Sequence, residues 1–573
     1  VDFFDAIDGK LYDMGDSASL STNYGQNLPW GQYDHKWDVN AVADSQYKTE
    51  GWIWPVVDYG AINATDFSAP VNVRYQRPGF FIKTAIGLML NSAGYKATGS
   101  LLADPLYPLM ICQFANGSFE HGTDYQNQPD GKGCQVATAA DQTFVHNSVR
   151  DGSNVGKINF TNIVSNPSGF WTDNKYVPDE IIAVDITLTI PRLRLQGRAT
   201  TDSPASVKIY IRLLDSNSDT NLAVFDFDFS NGYTGRISGD GGGLVAYVIV
   251  NNSTLSFSTT LSPTTAEGIQ INYEFLGLSH SQFTLYSGAI LTVKAQNKTI
   301  QFGQTIQCER IFPDISQKDL LKDTLQRFGI ICQTDNASKT ISFNSLRDIV
   351  NNIPMAKDWS SKCLDQGKQV AFKLGSYAQI NYMQYQDDDN VLPKKFGWSQ
   401  ITIADQTLPA GAELFTSTFA PTLNRPYYGG TIAQIKTIDD TSDSKDFSIS
   451  VSPRILIDQK TKLPNGKPVT FTDGNGNNRV INDVISTPYF YKDDGQYSLK
   501  FDDLRKKYYP ELEKILTQTK KVVRYILLTP RDILELDLLI PVYIAQDSAY
   551  YYINKIDAWR KGQPAKVELV KLG

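Results

Sequence analysis

Between Trp171 and Ala295 the chain alternates apolar and polar residues with a period of two. Val184, Ile186, Leu188 and Ile190 alternate with Asp185, Thr187 and Thr189, and Val207, Ile209, Ile211 and Leu213 with Lys208, Tyr210 and Arg212. Phe225, Phe227 and Phe229 enclose Asp226 and Asp228, while Ile269, Ile271, Tyr273 and Phe275 enclose Gln270, Asn272 and Glu274. Successive side chains on a strand point to opposite faces, so each run predicts a strand with one face in a core and one in water. Joined by Asn, Ser, Asp and Gly turns, these strands predict an antiparallel sandwich of jelly-roll type. Scaffold-like sequence lies on both sides, so the sandwich is expected to be an inserted domain over 166–300.

Two other segments carry a helical period instead. In Ile311–Ser345, Leu320, Leu321, Leu325 and Phe328 fall on one helical face. Ser316 is suited to cap that helix, with Asp319 three residues on, and Gly329 stands where a left-handed residue ends it. Ile330–Cys332 then begins a strand, Asp335-Asn336 makes a turn, and Ile341 and Phe343 alternate into a second strand. Arg77–Ala97 repeats the plan: Pro78 suits a first helical turn, Phe81, Ile82, Ala85, Leu88 and Met89 form the stripe, and Gly94 precedes a strand opened by Tyr95. The two segments share a plan rather than identities, and read as bracing modules of a scaffold with related domains in each half.

The full organisation expected is an α+β, β-rich multidomain chain. It comprises an N-terminal β segment over 1–75, an α/β module and loop over 76–165, the sandwich over 166–300, a second α/β module over 301–365, and a C-terminal β domain over 366–573. In the last, Val370–Leu374 and Tyr377–Tyr385 read as strands, Asp387–Asn390 and Asp439–Asp446 as polar loops, and Asn465-Gly466 and Asp473–Asn478 as hairpin turns. A helix around Asp502–Lys520, a strand at Val522–Leu528, a short helix after Thr529-Pro530 and a closing hairpin of Tyr550–Trp559 with Lys566–Leu572 complete it.

Composition narrows what such a chain does. At 573 residues it exceeds one ordinary core, so about three to five domains are expected. A net charge of −7 with no basic block argues against nucleic-acid binding. The locally basic stretch Arg505–Arg531 is interleaved with Asp502, Asp503, Glu511 and Glu513 and reads as a solvated helix face. No apolar run reaches membrane-spanning length, and no signal peptide opens the chain, which begins at Val1 and so is expected to lack at least its initiator Met. The five cysteines (112, 134, 308, 332 and 363) have no CxxC spacing and read as thiols of a protein assembled in a reducing cytoplasm, with a Cys112–Cys134 pairing possible but not required.

No chemistry stands out. Four histidines, His35, His121, His146 and His280, lack any nucleophile-elbow or ligand spacing, and surface or loop positions are expected for all of them. Asp473, Asn475 and Asn477 imitate the start of a calcium loop, but without the Gly and Glu that complete one, so a tight turn is expected. Asp387–Asp389 are consecutive and point apart. The glycine run in Ile237–Gly243 lacks the Lys-Ser/Thr of a phosphate loop. Nothing nominates a carboxylate pair for glycoside hydrolysis. Trp30, Trp37, Trp52 and Trp54 read as core residues, and Trp171, Tyr233 and Tyr247 as the aromatic faces on which a sandwich would stack sugars. No catalytic, cofactor-binding or metal-binding residue is assigned, and no cofactor is expected.

The segments RPGFFIKTAIGLMLNSAGYKATGSLLAD, FPDISQKDLLKDTLQRFGIICQTDNASKTISFNSLRDI with MAKDWSSK, SYAQINYMQYQDDDN and LLTPRDILELDLLIPVYI with YYYINKIDAW and KVELVKL together resemble tail structural proteins of phages and prophages of Bacteroidetes-type hosts. More broadly, the layout is similar to tail hub, or baseplate hub, proteins; the resemblance spans most of the chain outside the sandwich. It implies a homotrimer in which each subunit contributes two related hub-type β domains, giving six docking surfaces for the tail tube. It also implies a location in the virion tail tip, a role in closing or lining the channel, and contacts with a distal tail protein and with fibre or spike proteins. With the chain stopping at Gly573 after a hairpin, lytic activity is expected to reside in another chain. A host-glycan-binding tail protein is the alternative, and a tail-borne polysaccharide or peptidoglycan hydrolase a third.

Overall fold

The alternating runs become a two-sheet sandwich in the computed structural model, which describes residues 3–11, 33–63, 66–114, 119–121, 132–146, 152–197, 205–216, 218–229, 235–238, 244–263, 266–277, 281–296, 299–365, 367–371, 377–435, 452–493, 495–518 and 521–572. The chain divides into two units, Phe119–Ile306 and the remainder, Val1–Ser118 with Gln307–Gly573. The protein is thus a β-rich, multidomain α+β protein with many antiparallel sheets.

In the inserted unit we label the strands β1 (Cys134–Ala137), β2 (Gln142–His146), β3 (Gly152–Lys157), β4 (Asn162–Ser165), β5 (Trp171–Thr172), β6 (Lys175–Tyr176) and β7 (Ile182–Gly197). They continue as β8 (Ser206–Asp215), β9 (Thr220–Phe227), β10 (Gly235–Ser238), β11 (Leu244–Leu261), β12 (Ala266–Gly277), β13 (Ser281–Leu285) and β14 (Ile290–Ala295). One sheet runs β4-β1-β14-β7-β11-β10, with β13 also on β7 and β2 on β13; the other runs β5-β6-β12-β8-β9, with β3 also on β12. Taking β1, β6, β7, β8, β9, β11, β12 and β14 as the frame, the chain changes sheet at every step except β8 to β9. That is the jelly-roll order, as the alternation predicted. Val184, Ile186, Leu188 and Ile190 of β7, Val207, Ile209 and Ile211 of β8, and Ile269, Ile271, Tyr273 and Phe275 of β12 all lie in one buried cluster.

Strand β7 is long because it serves two partners. Its residues Val184–Thr189 pair with β14 and Leu193–Gln196 with β13. Pro191 falls at the changeover, where its missing N–H breaks no ladder bond, and opposite it Asn252 of β11 takes a left-handed φ of 56°. The expected boundary at 166 falls inside this unit. Strands β1 to β4, assigned from sequence to an α/β module over 76–165, pair into the sandwich instead. Their short, partly exposed runs carry little alternation, which is why the period did not reveal them.

In the other unit, four short strands, Trp52–Ile53, Gly79–Phe81, Met110–Gln113 and Arg454–Ile457, form one sheet that draws residues far apart in sequence together. Ile330–Asp335, Thr340–Ser345 and Lys96–Thr98 form another, Lys96–Thr98 lying parallel to Thr340–Ser342. The two bracing modules, expected to stand apart, therefore share one sheet. A third sheet gathers Lys357–Asp358, Val542–Ile544, Ala549–Asp557, Ala565–Lys571, Lys521–Ile526 and Gln369–Ala371, and includes the predicted closing hairpin.

The second module folds as its sequence dictates. The Ser316 hydroxyl accepts the Asp319 N–H at 3.0 Å at the head of helix Gln317–Arg327, and Gly329 takes φ 62° just beyond its end. Ser316→Ala is expected to lower the unfolding free energy of this unit by about 1 kcal/mol, read as a shift in its urea midpoint.

Several local expectations are corrected. Pro78 does not open a helix: Gly79–Phe81 is a strand between Trp52–Ile53 and Met110–Gln113, and the helix is Ile82–Ser92. Asn465-Gly466 turns the chain but joins no hairpin, since Lys460–Lys462 pairs with Val484–Ser486 and Val469–Thr472 with Asn478–Ile481. The helix expected over Asp502–Lys520 is two, Phe501–Tyr508 and Pro510–Gln518, because Pro510 has no N–H with which to continue the first. The β segment expected over 1–75 holds, among its described residues, helix Val39–Asp44 and strands of only two residues. The loop expected at Asp439–Asp446 lies outside the described residues.

Candidate functional site

Three of the four histidines are buried rather than at the surface: His35, His121 and His146. His280 lies outside the described residues. His35 is stacked on Trp52, with ring centroids 3.5 Å apart, and its Nδ1 lies 3.8 Å from the Cys308 Sγ. This is the one place where a thiol and an imidazole meet among the described residues, and so the natural candidate for nucleophilic chemistry. The hydrogen bonds decide against it. The Trp54 indole can only donate, and its Nε1 lies 2.9 Å from His35 Nε2, so that nitrogen accepts. The Tyr33 carbonyl can only accept, and lies 3.0 Å from Nδ1, so that nitrogen carries the proton. The Cys308 thiol donates to the same carbonyl at 2.7 Å. Neither ring nitrogen is available to take the thiol proton, and the cluster is a packed core in which Trp37, Trp52 and Trp54 are buried as predicted, while Trp30 lies outside the described residues.

Burial pulls the His35 imidazole down to about 3, partly opposed by its bond to Tyr33, with Lys48 pulling the same way as burial. The neutral form is therefore the folded form, while an unfolded chain takes up a proton near pH 6.5. Between those values the unfolded state binds more protons, so stability is full above about pH 6.5 and falls as pH drops towards 3. His35 by itself is expected to contribute a loss of about 1.2 kcal/mol between pH 6 and 5. The neighbouring Asp34 carboxyl opposes it, because burial raises that group to about 6 and it takes up a proton in the folded state. His35→Gln, which keeps an acceptor for Trp54, should make the acid-side fall in stability shallower in urea titrations.

Four buried carboxylates are committed to cations. Asp323 pairs with Arg327 at 2.6 Å, Asp388 with Arg454 at 2.5 Å and Asp58 with Arg425 at 2.6 Å. Asp458 lies 3.0 Å from Lys460 and accepts from Ser486 at 2.5 Å. Asp323 also accepts the Ser417 hydroxyl at 2.5 Å and the Thr418 N–H at 3.1 Å, while Arg327 donates to Tyr385 and to Ser417. Burial acts to lower the Arg327 guanidinium, but Asp323 and Tyr385 outweigh it and hold it above its ordinary value. The group of Asp323, Arg327, Tyr385 and Ser417 thus bolts the helix of the second module to the β segment that follows. Sequence reasoning missed it, although the four-residue spacing of Asp323 and Arg327, on the flank of the apolar stripe, was a usable signal.

The other candidates resolve as follows. Asp473 accepts the N–H groups of Asn475 at 2.8 Å and Asn477 at 3.2 Å, closing the predicted hairpin turn. Asp388 is buried against Arg454 while Asp389 reaches Lys394 at 2.7 Å in solvent, so the acidic run does divide. Of the glycine run, Ile237 and Ser238 lie in β10 and residues 239–243 are outside the described ones. No disulfide links the described cysteines. Arg505 and Lys506 are paired with Asp502 and Glu513, as a solvated helix face requires. Among the described residues no group of three or more His, Cys, Asp or Glu is placed to hold a metal ion, and no helix is long and apolar enough to cross a membrane.

The proposed sugar-stacking residues of the sandwich are not brought together as an open site. Trp171 is buried in the core, Tyr233 lies outside the described residues, and Tyr247 has the Arg194 guanidinium 5.0 Å from its ring centroid but no second aromatic ring against it among the described residues. A groove of about 340 Å³ beside β1 and β14, lined by Cys134, Gln135, Ser165, Thr292 and Lys294 among others, has no aromatic wall. A partly exposed aromatic pair lies elsewhere, at Tyr382 and Trp398, which sequence reasoning did not single out.

Fold and site together define a multidomain α+β protein carrying a jelly roll within a scaffold. No protein-family model matches the chain, and no curated protein sequence matches it. Among solved structures, it is similar to a chain of the cowpea mosaic virus empty virus-like particle, at 12% identity over 30% of this chain and 85% of that one, with a TM-score of 0.14. It is also similar to the CBM22-1–GH10 modules of xylanase 10B from Clostridium thermocellum, at 12% identity over 33% of this chain and 30% of that one, with a TM-score of 0.13. A third, the VP2 subviral particle of infectious bursal disease virus, is 7% identical over 29% of this chain and 46% of that one, with a TM-score of 0.08. Likeness at these scores carries nothing about function.

Proposed function

We propose that the chain is a non-enzymatic structural protein of a phage tail tip, a homotrimeric hub that adapts tail-tube symmetry, closes or lines the channel and anchors fibre or spike proteins. The observation that carries this reading is the closure of the scaffold across its insertion. Lys96–Thr98 pairs with Thr340–Ser342, and Met110–Gln113 with Arg454–Ile457, although a whole jelly roll separates them in sequence. A fold that keeps its frame continuous around a self-contained insert suits a protein whose work is to hold other parts in place. The resemblance of the framing segments to tail hub proteins supplies the setting. Imaging of particles that contain the protein tests it: three copies around the tail axis at the distal end are expected, and a particle without the protein at its tip overturns the reading.

A further inference from the structure

The sheet formed by Ser399–Thr402, Ile380–Gln384 and Gly411–Thr416 buries one face and leaves the other open. Asn381 and Met383 point into the core at 1% and 0% exposure, so Tyr382 between them points out. Tyr382 pairs with Gln400 on one side and Glu413 on the other, which places an amide and a carboxylate beside its ring. A Cβ on Gly411 would stand 3.2 Å from the Tyr382 Cε2, so the glycine leaves room for the ring to lie flat on the sheet. Trp398 precedes the first strand, is 39% exposed, and has its ring centroid 6.0 Å from that of Tyr382 with the planes 39° apart. Its indole N–H has no partner among the described residues.

The charge at this face is equally specific. Lys395 occupies a left-handed turn at φ 60°, and the backbone N–H of Trp398 bonds back to its carbonyl at 3.2 Å. That turn holds the Lys395 ammonium 5.7 Å from both ring centroids. The neighbouring Lys394 is taken by Asp389 at 2.7 Å, whereas Lys395 has no carboxylate partner among the described residues. A cation is thus held near one exposed and one half-buried aromatic ring, with no carboxylate counter-charge among the described residues.

We propose that Tyr382, Trp398 and Lys395 form a binding site for a carboxylate-bearing pyranose of an acidic polysaccharide. The C–H face of the sugar would stack on the rings, its carboxylate would meet Lys395, and its hydroxyls would meet the Trp398 indole N–H, Gln400 and Glu413. Two rings bounded by polar side chains match one or two sugar units, and are far smaller than the roughly 1,200 Å² that a stable protein interface buries. The site lies outside the jelly roll and does not rest on the tail-hub reading.

The test is affinity electrophoresis of the full chain through native gels cast with polygalacturonate, polysialate or neutral amylose. The protein is expected to be retarded by at least one acidic polymer and not by amylose. Trp398→Ala should weaken that retardation by roughly tenfold or more. Lys395→Gln, a solvent-side change that leaves the rings in place, should abolish the preference for acidic over neutral polymer, and both variants should melt at the temperature of the parent. Absence of retardation by both acidic polymers overturns the proposal. So does equal retardation by amylose, or parental retardation of both variants.

Discussion

Gly99→Ala is expected to cost the scaffold unit upwards of about 3 kcal/mol and to open the sheet that joins its two bracing modules. Gly99 has φ 107° and ψ 173°, a backbone region essentially restricted to glycine. A Cβ there would also fall within the van der Waals shell of the Phe343 carbonyl, a backbone atom that cannot swing away. Directly after it, the Ser100 hydroxyl donates to Asp348 at 2.6 Å, and Asp348 completes the capping box with Ser345 at the head of helix Leu346–Asn351. Displacing residue 99 therefore disturbs the pairing of Lys96–Thr98 and a cap as well. Hydrogen exchange reads this locally: amides of Thr340–Ser345 should lose protection, while those of Ile182–Gly197, in the separate jelly-roll core, keep theirs. Unchanged protection at Thr340–Ser345 would contradict the joint described here.

The second large effect is expected at Arg327. Arg327→Met strands Asp323, whose side chain is 2% exposed, without its cation, and a loss of about 3–5 kcal/mol in urea unfolding of the scaffold unit follows. The double substitution Asp323→Leu with Arg327→Met removes the buried charge altogether and should recover most of that loss, because the pair's attraction largely serves to offset its own desolvation. A double variant as unstable as the single one would show that the network around Tyr385 and Ser417 matters more than the charge pair.

How far the sequence alone led depends on which interactions made each element. Where local periodicity governs, it led well. The apolar rows of β7, β8 and β12, the cap at Ser316, the left-handed Gly329 and the Asp473 turn all stand as read, because each is decided by residues within one or two turns or strands. It failed where partners are remote in sequence. Nothing near Lys96 states that its strand will pair with Thr340, so two modules were read where one sheet exists. Strands β1 to β4 owe their place to the sandwich rather than to their own pattern, and the unit consequently starts at Phe119. The histidines were misplaced for the same reason: His35 is buried because Trp52 and Trp54 surround it and satisfy its nitrogens, which a count of neighbours along the chain does not reveal. Tyr382 and Trp398 come together across a strand pairing, and their spacing in sequence gave no sign of it.

The central claim, that this chain is a scaffold that works as a trimer, is tested most directly by its mass in solution. Light scattering of the purified full chain during size-exclusion chromatography should give three times the 63.8 kDa of one chain, unchanged on dilution to the micromolar range. A single species at the mass of one chain, at every concentration, would contradict it.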